Sequence, residues 1–325
     1  MDAPWRPTAS LENLRRRAAL LSAVRRFFAE RQVLEVETPV LIGASASDPN
    51  LESLSLPYAG PGAPPTGRLW LQTSPEFAMK RLLAAGSGCI YQICRAFRAD
   101  ERGRRHNPEF TLIEWYRVGF DHWQLMEETA ALAALALGPR PVETLTYREA
   151  FLRFAGIDPF RASVAELIAC ARGHDIPLPP LSGDARDPWL DLLLSEVVTP
   201  MLGRGVFTFL CDFPASQAAL ARLRREADGI EVAERFELFI DGMEIANGYH
   251  ELTDPAEQRQ RFERERARRL ANGEPPSSVD DRLLAALAAG MPDCAGVALG
   301  FDRLVMLAVG AERIDEVMAF PIERC

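Results

Sequence analysis

The chain has 325 residues, 48% of them hydrophobic, enough to bury a sizeable core in one large domain or two smaller ones. A net charge of −9 argues against an extensive nucleic-acid footprint. No apolar run approaches the ~20 residues of a membrane-spanning helix, and residues 1–10 carry no signal-peptide core. The 6 cysteines form no CxxC pair and there are only 4 histidines, which argues against a zinc site. Scattered thiols fit a reducing cytoplasm, where we place the chain. Lys80 is the only lysine beside many arginines, a bias we read first as codon usage.

Leu14, Ala18, Leu21, Val24 and Phe28 recur at helical spacing, with Ser10 as N-cap. A strand-like run over 33–41, containing Pro39, follows. A Pro/Gly-rich loop spans 57–67, then a strand is expected at 69–73 and a helix at 75–85. Residues 89–97 and 109–118 read as antiparallel strands joined by a long polar loop. Helices are expected at 122–137, 163–172 and 188–202, and strands at 206–211 and 232–240. Asp241-Gly242 forms a hairpin turn into a strand at 243–252. Helices follow at 255–270 and 280–289, and a strand at 296–301 enters a helix at 302–309. Strand pairs with helices around them, without regular βα alternation, predict an α+β fold. No linker separates two halves, so a single domain over 1–325 is expected.

Four segments carry candidate chemistry. In the first, Arg98-Ala-Asp100-Glu101 leads through Arg105-His106-Asn107-Pro108-Glu109-Phe110 to Glu114-Trp-Tyr116. Strand period two puts Phe110, Glu114 and Tyr116 on one face, and the loop offers Arg98, Arg105 and His106 to phosphate oxygens. In the second, Gly296-Val-Ala298-Leu-Gly300-Phe-Asp302-Arg303 joins a strand to a helix, a junction suited to polyphosphate. In the third, Glu237 and Glu244 lie on opposite arms of a hairpin and can converge on a hard cation such as Mg²⁺. Beyond them Asn247, Tyr249 and Glu251 share a strand face. In the fourth, Thr73 and Glu76 stand at capping-box spacing before a helix. Each alone also reads as ordinary scaffolding: a solvated hairpin, a tight turn, a polar edge hairpin, a helix cap.

Together and in order, these segments resemble the class II aminoacyl-tRNA synthetase catalytic core in its lysyl branch. Leu34-Glu-Val-Glu-Thr-Pro39 looks like motif 1, 97–116 like motif 2, 296–303 like motif 3, and Asn247-Gly-Tyr-His-Glu251-Leu like the lysine-pocket strand. The resemblance implies an antiparallel sheet flanked by helices, ATP and Mg²⁺ as cofactors, and a homodimer through motif 1. By matching position, Arg98 would grip the α-phosphate and the substrate carboxylate. Phe110 would stack on adenine near Asp100, and His106 and Arg303 would bind the outer phosphates. Arg105 and Asn107 complete the ATP-binding set. Glu237 and Glu244 would hold Mg²⁺. Glu76 and Glu114 would face the reacting end of the substrate and its nearby amine. Tyr116, Asn247 and Glu251 would select a distant ε-ammonium, with Tyr249 and Ala298 beside them.

Three departures narrow the resemblance. Motif 2 carries Asp100 where glutamate is usual, and motif 3 carries Ala298 where lysyl synthetases have glycine. Upstream of Leu11, ten residues cannot fold an anticodon-binding barrel. That combination resembles the elongation factor P lysine ligases, which look like lysyl-tRNA synthetases without the tRNA domain. The resemblance implies activation of (R)-β-lysine, or lysine, as an adenylate and transfer to a lysine ε-amine of elongation factor P. No stable tRNA complex and no membrane partner are expected. An arginine patch including Arg102, Arg104 and Arg105 is expected to guide the acceptor. Two other readings stay open: a truncated lysyl-tRNA synthetase acting on tRNA, and a non-catalytic regulatory paralogue.

Overall fold

Ser10 opens the first helix as its position predicts: its Oγ accepts from Asn13 N at 3.1 Å, satisfying one orphan donor of α1 (Leu11–Glu30). The computed structural model describes residues 5–44, 52–179, 185–271, 273 and 279–325. Helix α1 buries Val24, Phe27 and Phe28. The strand expected over 33–41 survives only as β1 (Leu34–Glu35) and β2 (Leu41–Ile42). Pro39 lies between them and has no N–H to give a ladder. β2 joins β3 (Ser55–Pro57) and β4 (Arg68–Leu71) in a small antiparallel sheet. The expected 57–67 loop connects β3 to β4. α2 (Glu76–Ala84), β5 (Ile90–Phe97) and β6 (Glu109–Val118) follow.

The next elements are α3 (His122–Leu137), β7 (Val142–Thr146), α4 (Tyr147–Phe154), α5 (Val164–Gly173) and α6 (Asp187–Leu193). β7 and α4 were not expected, although Thr146 and Glu149 form a capping box that starts α4. The helix expected over 188–202 loosens after Leu193 into a π turn at Leu194–Val198 and a 3₁₀ turn at Thr199–Met201. Pro200 cannot supply an α-helical hydrogen bond there. Then come β8 (Phe207–Pro214), β9 (Leu223–Arg225), β10 (Glu231–Ile240) and β11 (Met243–His250). Asp241 and Gly242 take φ of 50° and 68°, the left-handed pair a tight hairpin needs. The chain closes with α7 (Pro255–Ala271), α8 (Asp281–Gly290), β12 (Cys294–Gly300) and α9 (Phe301–Val309).

These elements form two compact units. The first holds residues 1–119 and 252–325, with 135–137. Its main strands run in the order β1-β5-β6-β12, with β5, β6 and β12 antiparallel and β1 parallel to β5. The second holds 120–134 and 138–251. There β7 pairs parallel with β8, β8 antiparallel with β10, and β10 antiparallel with both β9 and β11. Tyr147, Phe151, Trp189, Leu193, Leu210 and Phe213 anchor its core. The class is α+β, as expected, with parallel pairs β1–β5 and β7–β8 added to the antiparallel strands. No helix among the described residues is long and apolar enough to cross a membrane.

Candidate active site

In the first unit the site is built on a regular ladder. β5 and β6 pair without a register shift from Ile90↔Tyr116 to Phe97↔Glu109, and β12 continues with Gly296↔Tyr116, Ala298↔Glu114 and Gly300↔Leu112. Phe110, Glu114 and Tyr116 therefore share a face, as period two predicted. On the neighbouring strand that face meets only Gly296, the Ala298 methyl and Gly300, which keeps bulk away from it. Glu114 is buried, accepting from Ser74 Oγ at 2.7 Å and Tyr116 Oη at 2.7 Å.

Ser74 ties this carboxylate to α2, because its Oγ also accepts from Glu76 N at 3.0 Å. The capping box expected from Thr73 and Glu76 is not formed. Pro75 occupies the cap position without a side-chain bond, and the Glu76 carboxylate turns instead to buried Lys80, whose Nζ lies 2.6 Å away. Glu76, Glu114 and Tyr116 are thus brought together, with Ser74 and Lys80 as partners the sequence reading omitted. Burial, with Glu114 as a second cause, pushes the nearby Cys94 thiol up to about 12 and keeps it from acting as a nucleophile near neutral pH.

The loop between β5 and β6 gathers the phosphate-binding candidates. Arg98 lies over the Phe110 ring at 5.1 Å, and its Nη1 donates to Glu101 Oε1 at 2.9 Å. Glu101 Oε2 is 3.8 Å from His106 Nε2, and that ring contacts the Arg303 guanidinium. A string Arg98–Glu101–His106–Arg303 results, with Glu101 the member not singled out from sequence. Arg303 Nε also reaches the Arg105 carbonyl at 3.4 Å. Asp302, beside it, is buried; it accepts from Thr111 N at 2.6 Å and pairs with Arg17 at 2.5 Å. It locks the start of α9 against β6 and so positions Arg303.

Three loop candidates behave differently. The Asp100 side chain is exposed. Asn107 is buried and uses both ends of its amide internally, donating to the Glu109 carbonyl at 2.7 Å and accepting from Ile322 N at 3.1 Å. That pattern anchors the loop to the C-terminal segment. Arg102 pairs with Glu323 at 2.5 Å and Asp315 at 3.1 Å, and Arg104 with Glu312 at 2.8 Å. Their charges are largely matched inside the molecule, which weakens the expected acceptor-guiding patch.

In the second unit the candidates sit on the β10–β11 hairpin. Its ladder runs Arg235↔Tyr249 and Glu237↔Asn247, then shifts at a bulge between Leu238 and Phe239, so that Phe239 pairs with Glu244. The turn-side pairing of Phe239 with Glu244 puts Glu244 on the face of Glu237 and Arg235, and because of that shift Asn247 and Tyr249 join them there. Strict period two from Glu244 would have sent those two to the other face. Glu237 is buried, and its carboxyl is pushed up to about 7 by burial first and by Glu244, against the pull of Arg235. Arg235 bonds Glu237 directly and also donates to the Gln217 carbonyl at 2.7 Å. It is a residue the sequence reading missed, although an arginine two positions from an acid on one strand was a signal. Glu237 and Glu244 offer hard oxygen donors whose mutual repulsion a cation would relieve, so the donor set fits Mg²⁺. Asn247 Oδ1 is buried, and among the described residues no donor reaches it. Glu251 is buried at the end of the strand, bridged to Ala221.

The ordered motifs and this geometry agree with what known proteins show. The family described as tRNA synthetases class II (D, K and N) matches residues 3–324. The chain belongs to that family. Among its relatives, an elongation factor P–(R)-β-lysine ligase of Vibrio campbellii is 52% identical over 324 residues, covering 99% of both chains. Proteins of the same name from Vibrio cholerae and Salmonella typhi are 51% and 49% identical, covering 99% of this chain and 99% and 98% of their own. The class II resemblance read from the motifs, and the particular branch chosen within it, are therefore borne out.

Proposed function

We propose that the chain uses ATP to activate (R)-β-lysine as an aminoacyl adenylate and passes the aminoacyl group to a lysine ε-amine of elongation factor P. Relatives matched over nearly their whole length are named elongation factor P–(R)-β-lysine ligases, which supports this substrate and acceptor. The structural observation that carries the adenylating step is the string Arg98–Glu101–His106–Arg303 beside Phe110. It collects two guanidiniums, an imidazole and an aromatic plate on one loop-and-helix junction, which is what a nucleotide's phosphates and base require.

In the first step a substrate carboxylate oxygen attacks the α-phosphorus, and pyrophosphate leaves. Arg98 bears on the α-phosphate and the carboxylate, and Arg303 and His106 on the outer phosphates, offsetting charge as it builds. Glu101 holds Arg98 and His106 in place until nucleotide arrives. Asn107 positions the loop, and Arg105 and Asp100 are its outer contacts with nucleotide. Glu237 and Glu244 would hold Mg²⁺, which would supply electrostatic stabilisation of negative charge. Glu76 and Glu114 receive the amine near the reacting end. Tyr116, Asn247, Tyr249 and Glu251 receive the distant ammonium, for which buried Asn247 Oδ1 is a ready acceptor. In the second step a neutral acceptor amine attacks the carbonyl carbon of the mixed anhydride, an amide forms, AMP leaves, and the amine's proton is released. The chain acts as one catalytic domain, in keeping with a family match that runs across both units. It works as a homodimer through the segment 34–41, in the cytoplasm.

Mass spectrometry of elongation factor P incubated with the protein, ATP and β-lysine tests the proposal. A single added β-lysyl mass on one acceptor lysine is expected. An unmodified factor alongside efficient charging of tRNA would replace it with the synthetase reading. Absence of any amino-acid-dependent ATP–pyrophosphate exchange would replace it with the regulatory one.

A further inference from the structure

The reverse face of the β10–β11 hairpin carries a second polar cluster. Glu234 and His250 lie one register step beyond the Arg235↔Tyr249 pair, so they point away from Arg235, Glu237, Asn247 and Tyr249. His122, the first residue of α3, meets them there. One ligand atom from each of His122, Glu234 and His250 lies within 4.8 Å of the others. The His122 and His250 rings face each other at an interplanar angle of 28°, with centroids 6.2 Å apart. We propose that these three side chains form a binding site for a divalent transition ion of the Zn²⁺ type, separate from the carboxylates Glu237 and Glu244.

The donor chemistry selects the ion. Two imidazoles and one carboxylate suit borderline ions such as Zn²⁺, whereas Mg²⁺ prefers oxygen alone. His122 is the independent observation. It is 2% exposed, yet among the described residues neither ring nitrogen has a hydrogen-bond partner. Buried polar atoms in native proteins nearly always find one. Burial also holds this ring well below the usual imidazole range, at about 4, so it keeps the neutral form that ligates metal.

The surroundings accommodate added positive charge. Arg224 stands 3.6 Å from Glu234 Oε1, but it is shared with Asp212 at 2.7 Å and Glu226 at 2.6 Å. Three carboxylates therefore gather on that guanidinium, and Arg222 also bears on Glu234. His250 Nδ1 and Glu234 Oε2 hydrogen-bond at 2.6 Å. An ion would replace that bond and draw the ligand atoms toward bonds of about 2.0–2.2 Å, with a fourth tetrahedral position left for water. A loaded site would pin the first turn of α3 to the hairpin. His250 stands between Tyr249 and Glu251, so it would also stiffen the strand end that presents those two residues on its other face. Composition argued against zinc because it counted histidines and cysteine pairs; it could not see that the fold gathers two of the four histidines around a glutamate.

The test uses the full-length protein, stripped with chelator, dialysed, and titrated with Zn²⁺ and separately with Co²⁺. The expected result is one equivalent of Zn²⁺ bound, a raised melting temperature, and a Co²⁺ spectrum of tetrahedral type without thiolate charge transfer. His122→Phe, which refills the ring's volume, should weaken Zn²⁺ binding by about a hundredfold or more. His250→Gln is the second variant should the first not fold, with the same loss expected. Glu244→Gln should leave Zn²⁺ binding unchanged. Failure of the wild type to bind Zn²⁺, unaltered affinity in the folded histidine variants, or a thiolate band in the Co²⁺ spectrum would overturn the proposal. None of these readouts depends on adenylate formation, so the result stands apart from the function proposed above.

Discussion

The two candidate surfaces are both strand faces, but they are built differently. In the first unit, β5, β6 and β12 pair without interruption, and every second residue of β6 from Phe110 to Tyr116 falls where alternation puts it. In the second, the Asp241-Gly242 turn pairs Phe239 with Glu244 and so puts Glu244 on the face of Glu237, and the slip of β10 against β11 at Leu238/Phe239 brings Asn247 and Tyr249 onto that same face. A regular ladder lays out a row of groups at fixed intervals, as a long substrate needs. A tight turn concentrates two acids at one point, as a compact cation needs, and the bulge adds the polar residues of the second arm to their face. The concentration is costly, and Arg235, bonded to Glu237 within the hairpin, is what offsets it.

The contrast can be broken most strongly at Arg235. Replacing it with leucine leaves Glu237 buried beside Glu244 without its guanidinium, a loss of about 3–5 kcal/mol in urea unfolding at pH 8. The double variant R235L/E237L should recover most of that loss. Equal destabilisation in the single and double variants would mean that Arg235 contributes only packing over Phe213, 4.3 Å from its guanidinium.

On the regular side, Arg303→Ala removes a cation from the first turn of α9 while leaving Asp302 to hold the helix in place. Amino-acid-dependent ATP–pyrophosphate exchange should fall by about 10²–10³-fold, the usual cost of losing one transition-state donor. Melting should change little. A folded variant with normal exchange would remove motif 3 from the mechanism.

Much of the first unit was readable in advance because its rules are local. Ser10 as N-cap, the β5–β6 pairing and the strand-to-helix junction at Gly300 follow from short-range patterns that the structure keeps. What escaped reading was set by tertiary partners. Thr73 and Glu76 had the spacing of a capping box, but buried Lys80 competes for the Glu76 carboxylate, and no local pattern reports that Lys80 is buried. Asn107 looked like a ligand contact and is a tether to Ile322, more than two hundred residues away in sequence. The bulge at Leu238/Phe239 was equally invisible, since nothing in a run of alternating residues announces an inserted one. Had period two held there, Asn247 and Tyr249 would have faced away from Glu237 and Glu244.

Proton competition distinguishes the hairpin from the ladder at a smaller scale. The Glu237 carboxyl is raised to about 7, so the folded chain holds a proton that the unfolded chain has already released. That contribution to stability is complete below the unfolded value and disappears as pH rises through about 7. A Mg²⁺ ion taken up by Glu237 would have to displace the same proton, so its apparent affinity should weaken about tenfold for each pH unit below that point. Calorimetric titration of Mg²⁺ between pH 6 and 8, run on the protein alone, checks this. A flat profile would show that Glu237 is not a metal ligand, and that its bond to Arg235 is its whole role.

The smallest expected effect lies at Ala298. Register places its methyl directly beside Glu114, on the face that Gly296 and Gly300 otherwise leave clear. A substrate amine held by Glu114 would feel that methyl as a limit on how closely its chain approaches β12. In β-lysine the amine is one carbon further from the carboxylate than in α-lysine, so the two amino acids place the group near Glu114 differently. Removing the methyl in Ala298→Gly should relax the discrimination, moving the exchange-rate ratio toward L-α-lysine by about 1 kcal/mol, the low end of what one small group is worth in a pocket. Total activity with β-lysine should fall little, because no polar contact is lost. Glycine adds backbone freedom within a strand at a cost of about 0.5–1 kcal/mol, so melting temperatures must be compared alongside the ratios. An unchanged ratio in a folded variant would move the source of discrimination from the clear face of the regular ladder to the hairpin.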